Sequence, residues 1–291
     1  MPAFSIVIVN YNYGRYIEQA IRSVLDQSCQ DFELIIVDGA STDNSIEIIR
    51  KYADKLAWWV SEPDKGQSEA FNKGFSKARG DYFLWLNADD LMLPGALDAA
   101  ARYLRHHPAC MWLAGDTVFF DMNGMIRRCF YGPFWNTWLM KQTMVCGMVN
   151  GPSSIFHRTL YEKVGGVDEE LRYVMDMDLW MKFTDLGVRF HKIHKYIWGR
   201  RIHEESKTSH SIVNFPNEEF KCERDNVILR NNRVRTLNEL WWYRMWRLVT
   251  GTHFRTLYDT WRWRGLPIEK IMNMSMHGGT DRKPSQLFFR N

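Results

Sequence analysis

LWLNADDLMLP, residues 84–94, is the stretch on which the reading of this chain turns. An apolar run from Phe83 to Leu86 stops abruptly at Asn87-Ala88-Asp89-Asp90, and a second apolar patch and Pro94 follow. The run has the length and residue types of a buried strand. Two adjacent carboxylates at its end repel each other. They either solvate a turn or hold something positive.

Toward the N-terminus the same kind of run recurs. FSIVIV (4–9), FELIIVD (32–38) and LAWWVS (56–61) read as strands, as does DYFLWL (81–86) leading into the acids. Helical patterns separate them. Ile17, Ile21, Val24 and Leu25 recur at helical spacing in 13–27, and Ser41, Thr42 and Asp43 are placed to cap a helix over 45–53. A further helix is expected over 66–78. This βαβαβαβ order predicts an α/β fold, a mainly parallel sheet flanked by helices. Such sheets bind ligands beyond the carboxyl ends of their strands. Those ends carry Asn10-Tyr11-Asn12, Asp38, Glu62-Pro63-Asp64, and Asn87 with Asp89 and Asp90. Acids at three neighbouring ends predict one shared site.

The second half is more mixed. Residues 111–120 and 125–131 flank the turn DMNG (121–124) and predict a hairpin, and SSIFH (153–157) predicts another strand. DMDLWMKFTDLG (176–187) predicts a helix with Leu179, Phe183 and Leu186 on one face and Gly187 at its end. From about residue 216 the pattern is helical and rich in Trp and Arg. The 291 residues suit one large domain, or one domain with an appendage. A net charge of +4 is too small to argue for nucleic acid. Five scattered cysteines with no CxxC spacing predict a reduced, intracellular chain without disulfide framework or zinc ribbon. The first residues lack the basic region of a signal peptide. No apolar stretch approaches the roughly 18 residues that cross a bilayer.

Seven segments now fall into one pattern: VIVNYNYGRYIEQAIRSVLDQ (7–27), IIVDGASTDNS (35–45), SEPDKGQSEAFNKG (61–74), LNADD (86–90), VGGVDEEL (164–171), MDMDLWMKF (175–183) and RIHEES (201–206). In this order and spacing they resemble a family 2 glycosyltransferase of the GT-A fold, over roughly residues 4–210. The resemblance implies an inverting enzyme that faces the cytoplasm or the inner face of the membrane and uses a UDP or GDP sugar. It also implies a glycan or lipid-linked acceptor, in polysaccharide biosynthesis, and a divalent cation, Mn²⁺ or Mg²⁺. The division it suggests is a transferase domain over 1–210, with a nucleotide-binding half to residue 95 and an acceptor half from 96. A helical extension and flexible tail follow over 211–291.

The chemistry accounts for the residue types. A departing diphosphate gains negative charge, and a hard dication with oxygen ligands neutralises it. By the resemblance Asp90 ligates the metal, while Asp89 touches the ribose or shares the metal. Asp38 hydrogen-bonds the base, or caps its own turn. Tyr11 walls the base, or packs. Asn10 and Asn87 line the same site, and Asn10 has the simpler task of satisfying loop backbone. Asp64, Lys65 and Gln67 take over part of the task of an Arg that many relatives carry where this chain has Ala70-Phe71-Asn72, and Gly66 lets the backbone approach the ligand closely. Asp176 is the base, and Asp178, two residues on, faces elsewhere and orients the helix start. The helix N-terminus is expected to favour the charged form of either acid. His203 ligates metal or is an ordinary structural His. Arg200 and Arg201 grip phosphate or form a solvated pair. Gly165, Gly166 and Asp168 resemble a turn on the acceptor side. Trp112, Trp135 and Trp180 read first as core.

In the tail, Leu237, Leu240, Trp241, Met245, Leu248 and Val249 form one face of a helix that also carries Arg244 and Arg247. That pattern suits an anionic membrane surface, or packing on the domain or on a second copy of the chain. Two other functions compete. A sugar nucleotidyltransferase wants a Gly-rich basic loop after the first strand, and NYNYGRYIEQ (10–19) has one Gly. A degenerate glycan-binding subunit predicts loss of acids at 89, 90 or 176, and all three are present.

Overall fold

The computed structural model describes residues 1–142, 148–204, 206, 218–233 and 238–274. Its first half runs β1 (Phe4–Asn10), α1 (Gly14–Leu25), β2 (Phe32–Asp38), α2 (Ser45–Lys51), β3 (Trp58–Ser61), α3 (Gln67–Lys77) and β4 (Tyr82–Asn87). Strand order is β3-β2-β1-β4, all parallel. This is the sheet that the alternating pattern predicts.

The sheet then changes character. β5 (Leu91–Met92), α4 (Ala96–His106), β6 (Trp112–Asp121), β7 (Ile126–Phe130), α5 (Thr137–Gln142), β8 (Ser154–His157), α6 (Arg158–Lys163), α7 (Met175–Asp185) and β9 (His191–Ile202) follow. β8 lies antiparallel between β4 and β6, and the path continues through β9 to β5. β6 and β9 are parallel, whereas β5 is antiparallel to β9. The 111–131 hairpin and the 153–157 strand form as expected. β5 and the twelve-residue β9 were not foreseen. The β9 sequence HKIHKYIWGRRI hides its period-two burial of Ile193 and Ile197 among five Lys, Arg and Tyr side chains.

Strand alternation splits the core into two layers. Val7, Val9, Ile35 and Val37 face α3 and α7 through Phe71, Phe75 and Trp180. Ile6, Ile8, Leu34 and Ile36 face α1 and α4 through Ile17, Ile21 and Leu97. Trp180 stacks between Trp85 and Trp112, with ring centroids 5.5 and 5.1 Å away. Trp112 and Trp180 are therefore core, and Trp135 packs on the same cluster. On α7, Leu179 and Phe183 are buried, but Leu186 is exposed, because the helix has ended at Asp185.

The C-terminal helices are α8 (Glu218–Arg230), α9 (Glu239–Val249), α10 (Thr252–Trp263) and α11 (Glu269–Met274). Val227, Ile228 and Tyr243 join the first core layer, and Ile268 and Ile271 join a third cluster with Leu91, Leu93 and Phe120. The expected boundary at 210/211, Leu237 and residues 275–291, the end of the expected extension and tail, lie outside the described residues. α10 closes the open edge of β7. Thr260 Oγ1 takes the Cys129 N–H and donates to the Cys129 carbonyl, both at 3.1 Å. Thr256 Oγ1 takes the Tyr131 N–H at 3.0 Å. The match is geometric: four helical residues rise about 6 Å and two strand residues about 6.6 Å. Two hydroxyls one turn apart thus meet alternate strand residues.

Replacing both hydroxyls, Thr256→Val with Thr260→Val, should leave these edge groups unpaired and cost about 1–3 kcal/mol. Urea unfolding of the double variant measures it. An unchanged midpoint would mean that the edge is satisfied without the two threonines.

Candidate active site

The carboxyl ends of the parallel strands set the site's floor. Registration places Asn10 beside Asp38 and Asp38 beside Ser61, and Val9 beside Asn87. Asp38 is fully buried. Its Oδ1 accepts from Asn10 Nδ2 and Ser41 Oγ, both at 2.6 Å. Its Oδ2 accepts from the Ser41 N–H at 2.9 Å and from Ser61 Oγ at 2.6 Å. Four donors on one carboxylate make Asp38 the anchor of the 39–44 turn. A contact with a base would require it to exchange one of them. Asn10 is likewise committed to Asp38, although its own Oδ1 is buried with no partner among the described residues.

Tyr11 behaves differently. It is 62% exposed, so core packing does not account for it. A Cβ at Gly39 would stand 3.3 Å from the Tyr11 ring and 2.8 Å from Asp64 Oδ2, so glycine is what lets the two side chains converge. Burial raises the Asp64 pKa above the usual carboxylate range. The Gly66 N–H donates to Asp64 Oδ1 at 2.9 Å, and Gly66 adopts a φ of +138° that L side chains rarely take. Gln67 turns toward the loop before α7, its Nε2 3.4 Å from the Arg172 carbonyl. Phe71, the middle residue of Ala70-Phe71-Asn72, is fully buried against Trp85, 5.2 Å between centroids. Asn72 binds the 165–169 turn, with Nδ2 donating to the Val167 carbonyl and to Glu169 Oε1, each at 2.9 Å.

The acid pair lies between β4 and β5, and both residues are nearly buried, Asp89 at 8% and Asp90 at 2% exposure. The end of β9 holds them. The Arg201 backbone N–H donates to Asp90 Oδ1 at 2.9 Å, and Arg201 Nε donates to the Asp89 carbonyl at 2.8 Å. Asn87 Nδ2 donates to Asp90 Oδ2 at 3.0 Å. Burial first, and the Asp89 charge second, raise the Asp90 pKa against these donors and Arg200. Arg201 is buried between the Tyr16 and Phe120 rings and donates to Gln19 Oε1 at 2.5 Å. Being buried, it is not a solvated pair with Arg200, and its backbone N–H and Nε support the acid turn.

His203 Nε2 sits 2.9 Å from Asp89 Oδ2, and the ring packs on Tyr16 at 4.9 Å. Its Nδ1 is buried and without a partner among the described residues. No three His, Cys, Asp or Glu side chains among the described residues converge as a closed metal cage. The donor chemistry nonetheless suits a hard cation, which commonly takes one or two carboxylates and completes its shell from substrate phosphate and water. Ligation by His203 Nε2 would have to displace its contact with Asp89.

Asp176 stands in the first turn of α7, with Oδ1 accepting the Met177 N–H at 2.8 Å. Its Oδ2 lies against Gly151, where a Cβ would approach to 3.2 Å. Burial raises its pKa, and the opposing backbone N–H groups and Arg200 do not outweigh it. The N–H groups of the helix terminus favour the charged form of Asp176, as expected, but desolvation outweighs them. Arg200 acts electrostatically on both Asp90 and Asp176. Asp178 is elsewhere: it is buried and bonded to Lys182, Arg230 and Asn231, which fastens α8 to α7. Arg230 also pairs with Asp168 at 2.7 Å. Ser41, expected to cap α2, bonds Asp38 three residues back instead, and Ser61, which strand register alone brings to Asp38, had no signal in the sequence.

A sequence profile described as glycosyl transferase family 2 matches residues 5–165. The chondroitin synthase of Escherichia coli is 26% identical over 211 residues, which are 71% of this chain but 30% of that one. Staphylococcus aureus TarS (residues 1–349, with UDP-GlcNAc) superimposes with a TM-score of 0.59 at 19% identity, covering 79% of this chain and 71% of that one. The Pyrobaculum calidifontis mannosyltransferase PcManGT, with GDP-Man and Mn²⁺, gives 0.61 at 17%, covering 95% and 80%. At these identities the two structures speak for the fold.

Asp38→Asn would turn an amide N–H₂ toward existing donors, and should cost about 2 kcal/mol or more through unpaired buried groups. A thermal unfolding midpoint that stays put would remove Asp38 from its anchoring role.

Proposed function

We propose, for a chain that belongs to glycosyl transferase family 2, that it moves a sugar from a nucleotide-diphosphate donor of UDP or GDP type to a hydroxyl of a glycan or lipid-linked acceptor, with inversion. One observation carries the reading. Two adjacent carboxylates are held almost out of water at a strand end, and a third buried carboxylate, Asp176, shares the field of Arg200 with Asp90. Acids in such surroundings suit a charge-transfer site better than a solvated turn. The name of the chondroitin synthase relative supports a polysaccharide product, and the ligands of the two structural neighbours support a sugar nucleotide.

Asp90 and Asp89 would hold the divalent cation, Mn²⁺ or Mg²⁺, which when bound neutralises the diphosphate leaving group. Tyr11 and Asp64 would line the nucleoside, with Asp38 and Asn10 as their floor. Asp176 takes the proton of the acceptor hydroxyl while that oxygen bonds the anomeric carbon. The bond from that carbon to the diphosphate breaks, and the nucleoside diphosphate leaves with the electron pair. Desolvation makes Asp176 a stronger base than an aspartate in water.

Asp90→Asn should abolish the Mn²⁺-dependent thermal stabilisation by UDP or GDP sugars; a shift equal to that of the parent chain would refute its role as a ligand. Asp176→Asn should leave donor affinity intact and lower kcat by about 10²–10⁴-fold. Because the Asp176 pKa is raised, activity should fall with acid at a pH above the ordinary aspartate range. A profile flat down to that range, measured as kcat/KM, would exclude Asp176 as the base.

A further inference from the structure

α10 is an amphipathic helix turned inside out. The side packed on the protein carries Thr252, Thr256, Asp259 and Thr260. Their polar atoms are taken up by β7, by Arg247 and by Tyr196, whose hydroxyl donates to Asp259 Oδ2 at 2.5 Å. The opposite stripe, Phe254, Leu257, Tyr258 and Trp261, is exposed by 60, 54, 50 and 80%. A helix whose only neighbours were protein and water would show the reverse arrangement. α9 extends the apolar surface with exposed Leu240, Trp241, Leu248 and Val249.

Among the described side chains of α9 and α10, the exposed charges have one sign. Arg244, Arg255, Arg262 and Arg264 are exposed, and the sole acid of α10, Asp259, is buried beneath Arg255. Residues 238–274 hold six basic and three acidic residues. Among the described residues no helix is long and apolar enough to cross a membrane.

We propose that the α9–α10 face docks on an anionic lipid bilayer, lying in the headgroup layer with Phe254, Leu257, Trp261 and Trp241 inserted and the arginines on lipid phosphates. Tryptophan and tyrosine suit that boundary, and basic residues interleaved with an apolar stripe are its electrostatic complement. A second copy of the chain fits less well. A two-fold contact through the same stripe would set arginine against arginine, with no exposed acid on α10 to answer them. The inference is independent of the proposed catalytic roles.

The test is co-sedimentation of the full chain with vesicles of phosphatidylcholine alone and of phosphatidylcholine with phosphatidylglycerol. Binding should favour the anionic vesicles. It should weaken about tenfold or more in Phe254→Ser with Trp261→Ser, two exposed positions whose apolar area would be lost. An unchanged thermal midpoint would show that the variant still folds. Absence of binding to anionic vesicles, equal binding to both compositions, or equal binding by the variant would each overturn the proposal. So would a dimer in sedimentation velocity that the double substitution dissociates, which would assign the face to a second copy.

Discussion

Everything in the site depends on keeping Asp89 and Asp90 side by side and nearly dry. Two carboxylate charges about 5 Å apart at an effective dielectric of about 20 repel by roughly 3 kcal/mol. Burial adds to that cost. Hydrogen bonds to charged groups contribute about 1.5–3 kcal/mol each, so two or three of them match the repulsion and leave the cost of burial to be met. The Arg201 N–H and Asn87 Nδ2 are such bonds on Asp90, and His203 contacts Asp89. The residual strain appears as the raised pKa of Asp90. A dication would relieve it, which is why the pair reads as half of a binding site.

That arrangement requires β9. The two-residue β5 pairs antiparallel with Trp198 and Gly199, which brings Arg201 and His203 back over the acid turn. Asp38 solves the opposite problem. It is buried with four donors, so it stiffens the floor on which the exposed Tyr11 and the half-buried Asp64 stand. One acid is spent on structure, and the others are left with unbalanced charge.

The parallel half of the fold was legible because its strands are short, apolar and β-branched, and because turn chemistry punctuates them. The positions of Asp38, Asp89, Asp90 and Asp176 followed from strand and helix ends. β9 was not legible, since Lys192, Lys195, Arg200 and Arg201 mask its alternation. The partners of the acids were not legible either. Ser61 reaches Asp38 through strand register, and Arg201 reaches Asp90 across more than a hundred residues. Helical periodicity placed Leu240, Trp241 and Val249 on one face of α9, but periodicity alone does not say which face looks inward.

The C-terminal helices bear on the site through that same strand. Tyr196, in the middle of β9, is bonded to Asp259 of α10, while Thr256 and Thr260 hold β7 and thereby the outer part of β6. β6 in turn pairs with β9 up to Ile202, next to His203. The polar face of α10 is turned inward because its task is to complete hydrogen bonds at a sheet edge, and a sheet edge offers N–H and C=O groups that apolar side chains cannot satisfy. Spending the helix's polar residues in this way forces its apolar ones outward. The exposed aromatic stripe and the rigid support of Arg201 and His203 are two results of one choice: closing the sheet with a helix instead of another strand.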